Sequence, residues 1–428
     1  MPAFGAPMNR QRRRTCDKES AVDAPAARVY ELPDDILLLM LLRLDSPLWL
    51  IRAVSACKRW RRAVVGADGG AAFLRLAQSL HPPTVAGSYN LKIGAAAKVI
   101  FTHSSAPPRP GRPGLGLGLS VRNRFSLDFL PITDWSDCWV ADSHGGLVLV
   151  LFKRNHLAQP GLLVCDPLTR RYQGASDPPV EACSYSFADA FLLDGEDGHI
   201  SMSSFRVLYR FWFYTGQKLC VFSSSDGGEW RELRRWSPGD DLDCCCYGHL
   251  AGRVDGSLYL GLTTRSVIVF DNASLEFSKV DLPIRAKKYD YGKLSTFRVV
   301  HGAGDYSSAS PPTSRIVHIY GIDLQVFRRV DVSGEWMLEH SIISLSCYLE
   351  KSLQGAAEIV AVGTRFFVLS VWDENKRRWF FSVDVETMEP AMLPDHLNYH
   401  YQNTRSTINC TLPWPPFKRA CIEPVSQG

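Results

Sequence analysis

The sequence predicts an α+β multidomain chain: a small N-terminal helical unit, then a mainly-β C-terminal domain built as a β-propeller of about six blades. Three observations predict it. The segment Ile36–Leu42 holds five leucines in seven residues, which demands burial on nearly every side. After about residue 131, short apolar runs return at intervals of roughly 50 to 60 residues. Between these regions lies a stretch rich in Pro and Gly.

At 428 residues the chain exceeds one ordinary core. Hydrophobic residues make up 46% and charged residues 21%, so most of it should fold. The net charge of +4 is small for this length and argues against nucleic acid as a partner. The opening "MPAFGAPMNRQRRR" has no apolar run long enough for a secretory signal. No stretch approaches the roughly 18 apolar residues of a membrane helix, so no membrane contact is expected. The expected location is cytoplasmic, nuclear or both, where the 12 cysteines are reduced thiols. Residues 1–27 read as a disordered basic tail, with "NRQRRR" as a solvated run or an import signal.

The helical unit spans residues 28–80. Pro33 suits a first turn, where its missing N–H has no partner to lose. Asp34 and Asp35 complement the positive end of the helix dipole, and Arg43 the negative end. The first helix therefore runs from about Pro33 to Leu44, with Ile36, Leu37, Met40, Leu41 and Leu44 as one stripe. Ser46-Pro47 then reads as a new N-cap and first position. The second helix sets Leu50, Ala53, Val54, Cys57, Trp60 and Val64 on one side, and Arg52, Lys58, Arg59 and Arg62 on the other. Arg61 falls within the apolar stripe and is expected to snorkel outward or meet a carboxylate. "AAFLRLAQSL", from Ala71, supplies a third short helix. About 45 residues cannot hide all these leucines among themselves. Either the rest of the chain covers them or a second protein does. Residues 81–123 have linker composition, with a possible strand at 98–104, and that separation favours the second protein.

These residues carry a resemblance. "LPDDILLLMLLRL…LIRAVSACKRWRRAV" resembles the F-box motif, which opens Leu-Pro-x-Asp/Glu and closes Cys-Lys-x-Trp-Arg. Leu32, Pro33, Asp35, Ile36, Leu37, Leu41, Leu44, Val54, Cys57, Lys58, Trp60 and Arg61 all fall on it. The resemblance implies docking on the Skp adaptor, and through it on the cullin of a ubiquitin ligase. Adaptor-binding residues are then expected at Leu32, Pro33, Ile36, Leu37, Leu41, Leu44, Val54, Lys58 and Trp60. Trp60 is equally well read as internal core of the hairpin.

Residues 124–428 form the β domain. "GLVLVLF", "FRVLYRFWFY", "GSLYLGL", "RIVHIYGI" and "RFFVLSVW" begin at Gly146, Phe205, Gly256, Arg315 and Arg365. Each is followed by a second short strand and a polar turn. Asp166-Pro167, Asp271-Asn272 and Asp384 suit turn entry, while Gly227-Gly228 and Ser333-Gly334 supply positive φ. An aromatic follows four of these turns (Tyr172, Trp230, Phe277 and Trp336) and can pack across its hairpin. "KVIFTHS", from Lys98, is read as one strand of a blade completed by the C-terminus, which would remove a sheet edge. Five or seven blades, or a β-sandwich with long loops, are the alternatives. "CDPLTRRY" and "CTLPWPPFKRAC" resemble segments of the kelch-like F-box-associated domains of plant F-box families.

No nucleotide-binding loop, nucleophile elbow or zincin motif is present. "PGLGLGLS" follows Pro-rich sequence rather than a strand, which reads as linker. In "DCCCYGH", three consecutive strand residues alternate faces, so Cys244, Cys245 and Cys246 read as structural thiols rather than metal ligands. "DGEDGH" lacks calcium-loop spacing. The sequons at Asn272 and Asn409 mean little without secretion. No cofactor or metal is expected. The reading is a non-enzymatic receptor that holds an unidentified client protein near the ubiquitin-transferring site. A ligase-independent scaffold and a propeller enzyme with an accessory hairpin remain the alternatives.

Overall fold

The computed structural model describes residues 32–44, 50, 53–54, 56–66, 73 and 76–77 of the helical part. In the β part it describes 84–92, 98–103, 125–132, 134–154, 157–176, 187–213, 216–225, 227–236, 250–254, 256–262, 266–281, 297–301, 314–320, 323–329, 335–342, 353–362, 366–385, 387–393 and 407–412. The basic tail, Ser46-Pro47, the glycine-rich "PGLGLGLS", the triple cysteine and Ser333-Gly334 lie outside the described residues.

Helix α1 spans Asp34–Leu42, with Pro33 extended before it (φ −55°, ψ 148°) and its carbonyl accepting from Leu37 N–H at 3.1 Å. Helix α2 spans Lys58–Val65. Leu50, Ala53, Val54 and Ala56 before it are helical too, as are Phe73, Leu76 and Ala77 after it. The single second helix expected from Ser46 to Val64 is therefore divided at Cys57. Cys57 is extended (φ −149°, ψ 156°), and its Sγ accepts the backbone N–H of Trp60 at 3.4 Å. A thiol thus fills the N-cap place that serine usually takes, satisfying one donor that a helix start leaves open.

Among the described residues, twenty-three strands form six antiparallel blades. The first blade is made of β1 (Thr84–Lys92), β2 (Lys98–His103) and the C-terminal β23 (Thr407–Leu412). The expected closure by the C-terminus is thus present. The linker reading of the whole 81–123 stretch needs correction, because Thr84–Lys92 is a strand. The preceding Pro82-Pro83 and its own Gly87 disguised it, yet Tyr89 and Leu91 alternate with Ser88 and Asn90. Gly87 is required: a Cβ there would lie 2.3 Å from Thr102 O and 2.5 Å from the Phe101 ring.

The second blade holds β3 (Cys138–His144), β4 (Leu147–Arg154), β5 (Leu157–Asp166) and β6 (Arg171–Ala175). The third holds β7 (Phe187–Asp194), β8 (Phe205–Phe213), β9 (Gly216–Ser223) and β10 (Glu229–Trp236). The fourth holds β11 (Leu250–Val254), β12 (Ser257–Leu262), β13 (Ser266–Asp271) and β14 (Phe277–Asp281). The fifth holds β15 (Phe297–His301), β16 (Ser314–Tyr320), β17 (Asp323–Arg329) and β18 (Trp336–Ile342). The sixth holds β19 (Leu353–Val362), β20 (Phe366–Asp373), β21 (Arg378–Asp384) and β22 (Pro390–Met392). On the inside of the ring, β23 lies between β19 and β3, β3 beside β7, and β11 beside β15.

The hydrophobic core sits between consecutive blades rather than at one centre. Leu149, Leu151 and Val164 of the second blade pack with Leu192, Val207 and Phe222 of the third. Phe191 and Leu208 meet Leu258 and Phe270 in the same way, and Val317 and Val326 meet Leu369 and Phe381. Each such side chain contributes about 1.5–3 kcal/mol on burial. The expected cross-hairpin aromatics are present at two turns: Trp230 lies 5.4 Å from Phe222, and Phe277 lies 4.7 Å from Phe270.

The turns share a device. Asp166, Asp271, Asp373 and Asp384 each accept backbone N–H groups from the turn that follows. In each, a residue other than glycine sits in the left-handed region: Arg170 (φ 56°), Leu275 (59°), Lys376 (59°) and Met388 (58°). The third blade uses Gly227 and Gly228 for its turn, as expected.

Candidate docking face of the helical unit

The apolar residues of α1 divide into two arcs. Leu37, Leu41 and Leu42 are buried with Leu50, Val64, Phe73 and Ala77. Leu38, Leu44, Val54 and Trp60 pack against this cluster and are half-buried. The helical unit therefore has a core made of its own residues. Ile36, Leu39 and Met40 lie on the opposite arc, 41%, 54% and 52% exposed, with exposed Arg43 one turn further on. Positions 36, 39, 40 and 43 form one stripe at helical spacing. Arg59 fixes the angle between α1 and α2. Its guanidinium donates to Asp34 Oδ1 at 2.8 and 3.0 Å, and to the Leu32 carbonyl.

This geometry revises the expected docking residues. Pro33, Ile36 and Lys58 are exposed and available, and Leu32 is half-buried. Leu37 and Leu41 are each 2% exposed and cannot meet a partner while the unit is folded. On a helix apolar nearly all round, the sequence does not show which side its neighbours will cover. Leu39 and Met40, absent from the expected set, are exposed beside Ile36 on the same arc. Trp60 takes its internal reading. Arg61 is exposed, the first of its two expected settings.

A network of polar side chains braces the second, third and fourth blades of the propeller. Asp142 on β3 accepts the Leu192 N–H of β7 at 2.7 Å, and Arg253 of β11 donates to the same carboxylate oxygen. Arg253 also donates to the Leu192 carbonyl at 2.8 Å. Asp194 accepts from His144 Nε2 at 2.8 Å and from Asn272 Nδ2 at 3.0 Å. Arg206 joins the Asp194 carbonyl to the Asn272 carbonyl and side chain. Burial alone would raise the Asp194 carboxyl. The His144 hydrogen bond and the charges of His144, Arg253 and Arg206 outweigh it and hold the group below the usual carboxylate range. Both Asp194 oxygens are thus committed to binding blades together. Arg315 repeats the Arg206 device, reaching the Val385 carbonyl in the turn of the next blade at 3.3 Å.

Burial pushes the Cys138 and Cys220 thiols up to about 11 and Cys410 to about 12, so they are protonated, inert core groups. Among the described residues, no group of His, Cys, Asp and Glu is arranged to hold a metal. Among them, too, no helix is long and apolar enough to cross a membrane. The Asn272 sequon is committed to the brace, its side chain bonded on both sides.

No curated protein matches the chain. Among solved structures, the Aleuria aurantia lectin in complex with α-methyl-L-fucoside is 14% identical, over 60% of this chain and 77% of that one, with a TM-score of 0.34. A protein from Lactobacillus plantarum is 11% identical, over 73% of this chain and 81% of that one, with a TM-score of 0.36. Likenesses this slight carry nothing about function. Residues 139–376 match the family model described as "F-box protein AT5G49610-like, beta-propeller". That span covers β3 through β20 and enters the turn after it, so the chain belongs to the family of F-box proteins that carry the AT5G49610-like β-propeller.

Proposed function

We propose that the chain is a substrate receptor of a Skp–cullin–F-box ubiquitin ligase, working in the cytoplasm or nucleus. In this reading residues 28–80 are the F-box, and the Ile36, Leu39 and Met40 stripe docks on the Skp adaptor. The propeller binds a client and performs no chemistry itself. Holding the client beside the loaded enzyme raises the effective concentration of its lysines at the transferring thioester. One observation carries the proposal: an apolar stripe stays exposed on α1 after the helical unit has completed its own core. Family membership supports it.

The test is capture of a purified Skp adaptor by the full chain, with Leu39→Asp and Met40→Asp introduced together. Burying two such side chains contributes about 1.5–3 kcal/mol each, so capture should weaken about 100-fold or more. Both sites are solvent-facing, so far-UV dichroism should not change. Unweakened capture would overturn the docking face. Substitution at Leu37 and Leu41 does not test the interface, because it removes the core of the unit.

A further inference from the structure

The sixth blade carries a cluster of polar and aromatic side chains on one face. Its opposite face holds Val371, Trp379 and Phe381, which pack on the fifth blade. Alternation along β20 and β21 therefore turns Trp372, Ser370, Arg378 and Phe380 the other way, towards the first blade. The Arg378 guanidinium lies between two rings, 5.5 Å from the centre of Trp372 and 5.2 Å from that of Phe380. Its Nη2 donates to Glu358 Oε2 of β19 at 3.2 Å and to Ser370 Oγ at 3.0 Å. Two rings, a carboxylate and a hydroxyl hold the planar group in one position.

Three features set this cluster apart from an ordinary surface ion pair. The first is a bulge in β19. Gln354 stands opposite Trp372 and Glu358 opposite Ser370, so Gly355, Ala356 and Ala357 together face the single Val371. The bulges of β3 and β11 each add one residue, and this one adds two. Without it Ala356 would stand where Glu358 does, so the bulge is what brings a carboxylate to Arg378. The second is exposure. Trp372 is 40% exposed on a strand second from the inside of the ring, and the Glu358 side chain is 38% exposed. The third is hydrogen-bonding capacity left over. Arg378 Nε is buried without an acceptor, which carries a desolvation cost. Among the described residues, Arg378 Nη1 and Glu358 Oε1 also make no hydrogen bond.

We propose that Trp372, Arg378 and Glu358 form a binding site for a neutral sugar ring. A donor at Nη1 and an acceptor at Oε1 stand side by side on the two partners of one ion pair. Two neighbouring hydroxyls match them, because each can both give and take a hydrogen bond. A trans peptide unit does not, since its N–H and C=O point in opposite directions. The exposed part of the indole offers an apolar surface to the C–H side of the ring, while the polar pair fixes its orientation. The opposite charges of Glu358 and Arg378 offset each other, which selects a neutral ligand over an ion. The site adds a ligand to the propeller whatever docks on the helical unit, so it does not rest on the receptor reading.

The test is an NMR titration of the full chain with the methyl glycosides of glucose, galactose, mannose, xylose and N-acetylglucosamine. Acetamide, whose donor and acceptor also lie side by side, is the control. Saturable binding of at least one glycoside is expected, and it should shift the Trp372 indole N–H signal, identified by its loss in Trp372→Leu. A hydrogen bond to a charged group is worth about tenfold or more in affinity, so Glu358→Gln should bind at least about tenfold more weakly. Trp372→Leu keeps apolar bulk but removes the flat ring, and should weaken binding by a similar factor. Failure of every glycoside to saturate overturns the proposal. So does binding that either variant leaves unweakened, or a Trp372 indole signal that stays fixed while the sugar binds. Saturation by acetamide at the same concentrations overturns the assignment to a sugar. The indole signal is read in the unaltered chain, so the result does not depend on how a variant folds.

Discussion

Lys376 shows how one residue can carry a local cost that the fold tolerates. Its φ of 59° is left-handed, where a Cβ crowds the following carbonyl by roughly 1 kcal/mol. Asp373 holds it there, accepting the N–H groups of Asn375 at 2.9 Å and Arg377 at 2.8 Å. The Lys376 side chain is exposed, so its removal loses little packing. Lys376→Gly should therefore stabilise the chain by about 0.5 kcal/mol, glycine's extra freedom when unfolded offsetting part of the relief. The same change at Met388 should destabilise by about 2–4 kcal/mol, because that side chain is 4% exposed within the interface of the fifth and sixth blades. Urea midpoints of the two variants check both signs. Two destabilised variants would mean that backbone strain is not what these turns store. The sequence showed the aspartates of these turns, but not their left-handed residues. Arg, Leu, Lys and Met are not turn formers, and only the geometry of the whole hairpin imposes that φ.

At the scale of elements, visibility in sequence followed burial. Second and third strands such as β4 and β5 or β20 and β21 are apolar on both faces and stand out as runs, while β17 ends in exposed Arg328 and Arg329. First strands face the channel, and β3 reads Cys-Trp-Val-Ala-Asp-Ser-His, with polar residues drawn in by the brace. Outer strands such as β6 are mostly exposed and resemble loops. The helical unit was legible as a unit, but its division at Cys57 was not, because a buried-type thiol gives no sign that it will cap. That cap leads to a prediction. Cys57→Ala leaves the Trp60 N–H without its acceptor and should cost about 0.5–1 kcal/mol, whereas Cys57→Ser supplies a better one. Exchange of the Trp60 amide in the full chain should quicken several-fold in the alanine variant only. If serine and alanine behave alike, the sulfur is a bystander.

Across the whole molecule, a ring of blades is only as strong as its joints, since each blade meets two neighbours and no common core. Apolar packing fills the joints from the first blade round to the sixth, and C-terminal β23 closes the ring by pairing with β1. The brace adds charge to one sector, tying the second blade to the third and fourth through Asp142, Arg253, Asp194, Asn272 and Arg206. Its contribution depends on pH in a fixed direction. Asp194 is held below the usual carboxylate range in the folded chain, so folding favours its ionised form. The stability it supplies is complete above the ordinary carboxylate range, about pH 4, and drains away as pH falls through the lowered folded value. Asp194→Asn keeps the shape but removes the charge that His144, Arg206 and Arg253 face. Hydrogen bonds to a charged group contribute about 1.5–3 kcal/mol, so the variant should be less stable by that order at pH 7. The gap should narrow steadily as pH falls from about 4 through the lowered folded value, as the native chain protonates the same group. Urea unfolding of both chains across that range measures it, and the difference between the two cancels the other carboxylates. A gap that stays constant to the acid end would mean that Asp194 holds the blades by shape alone.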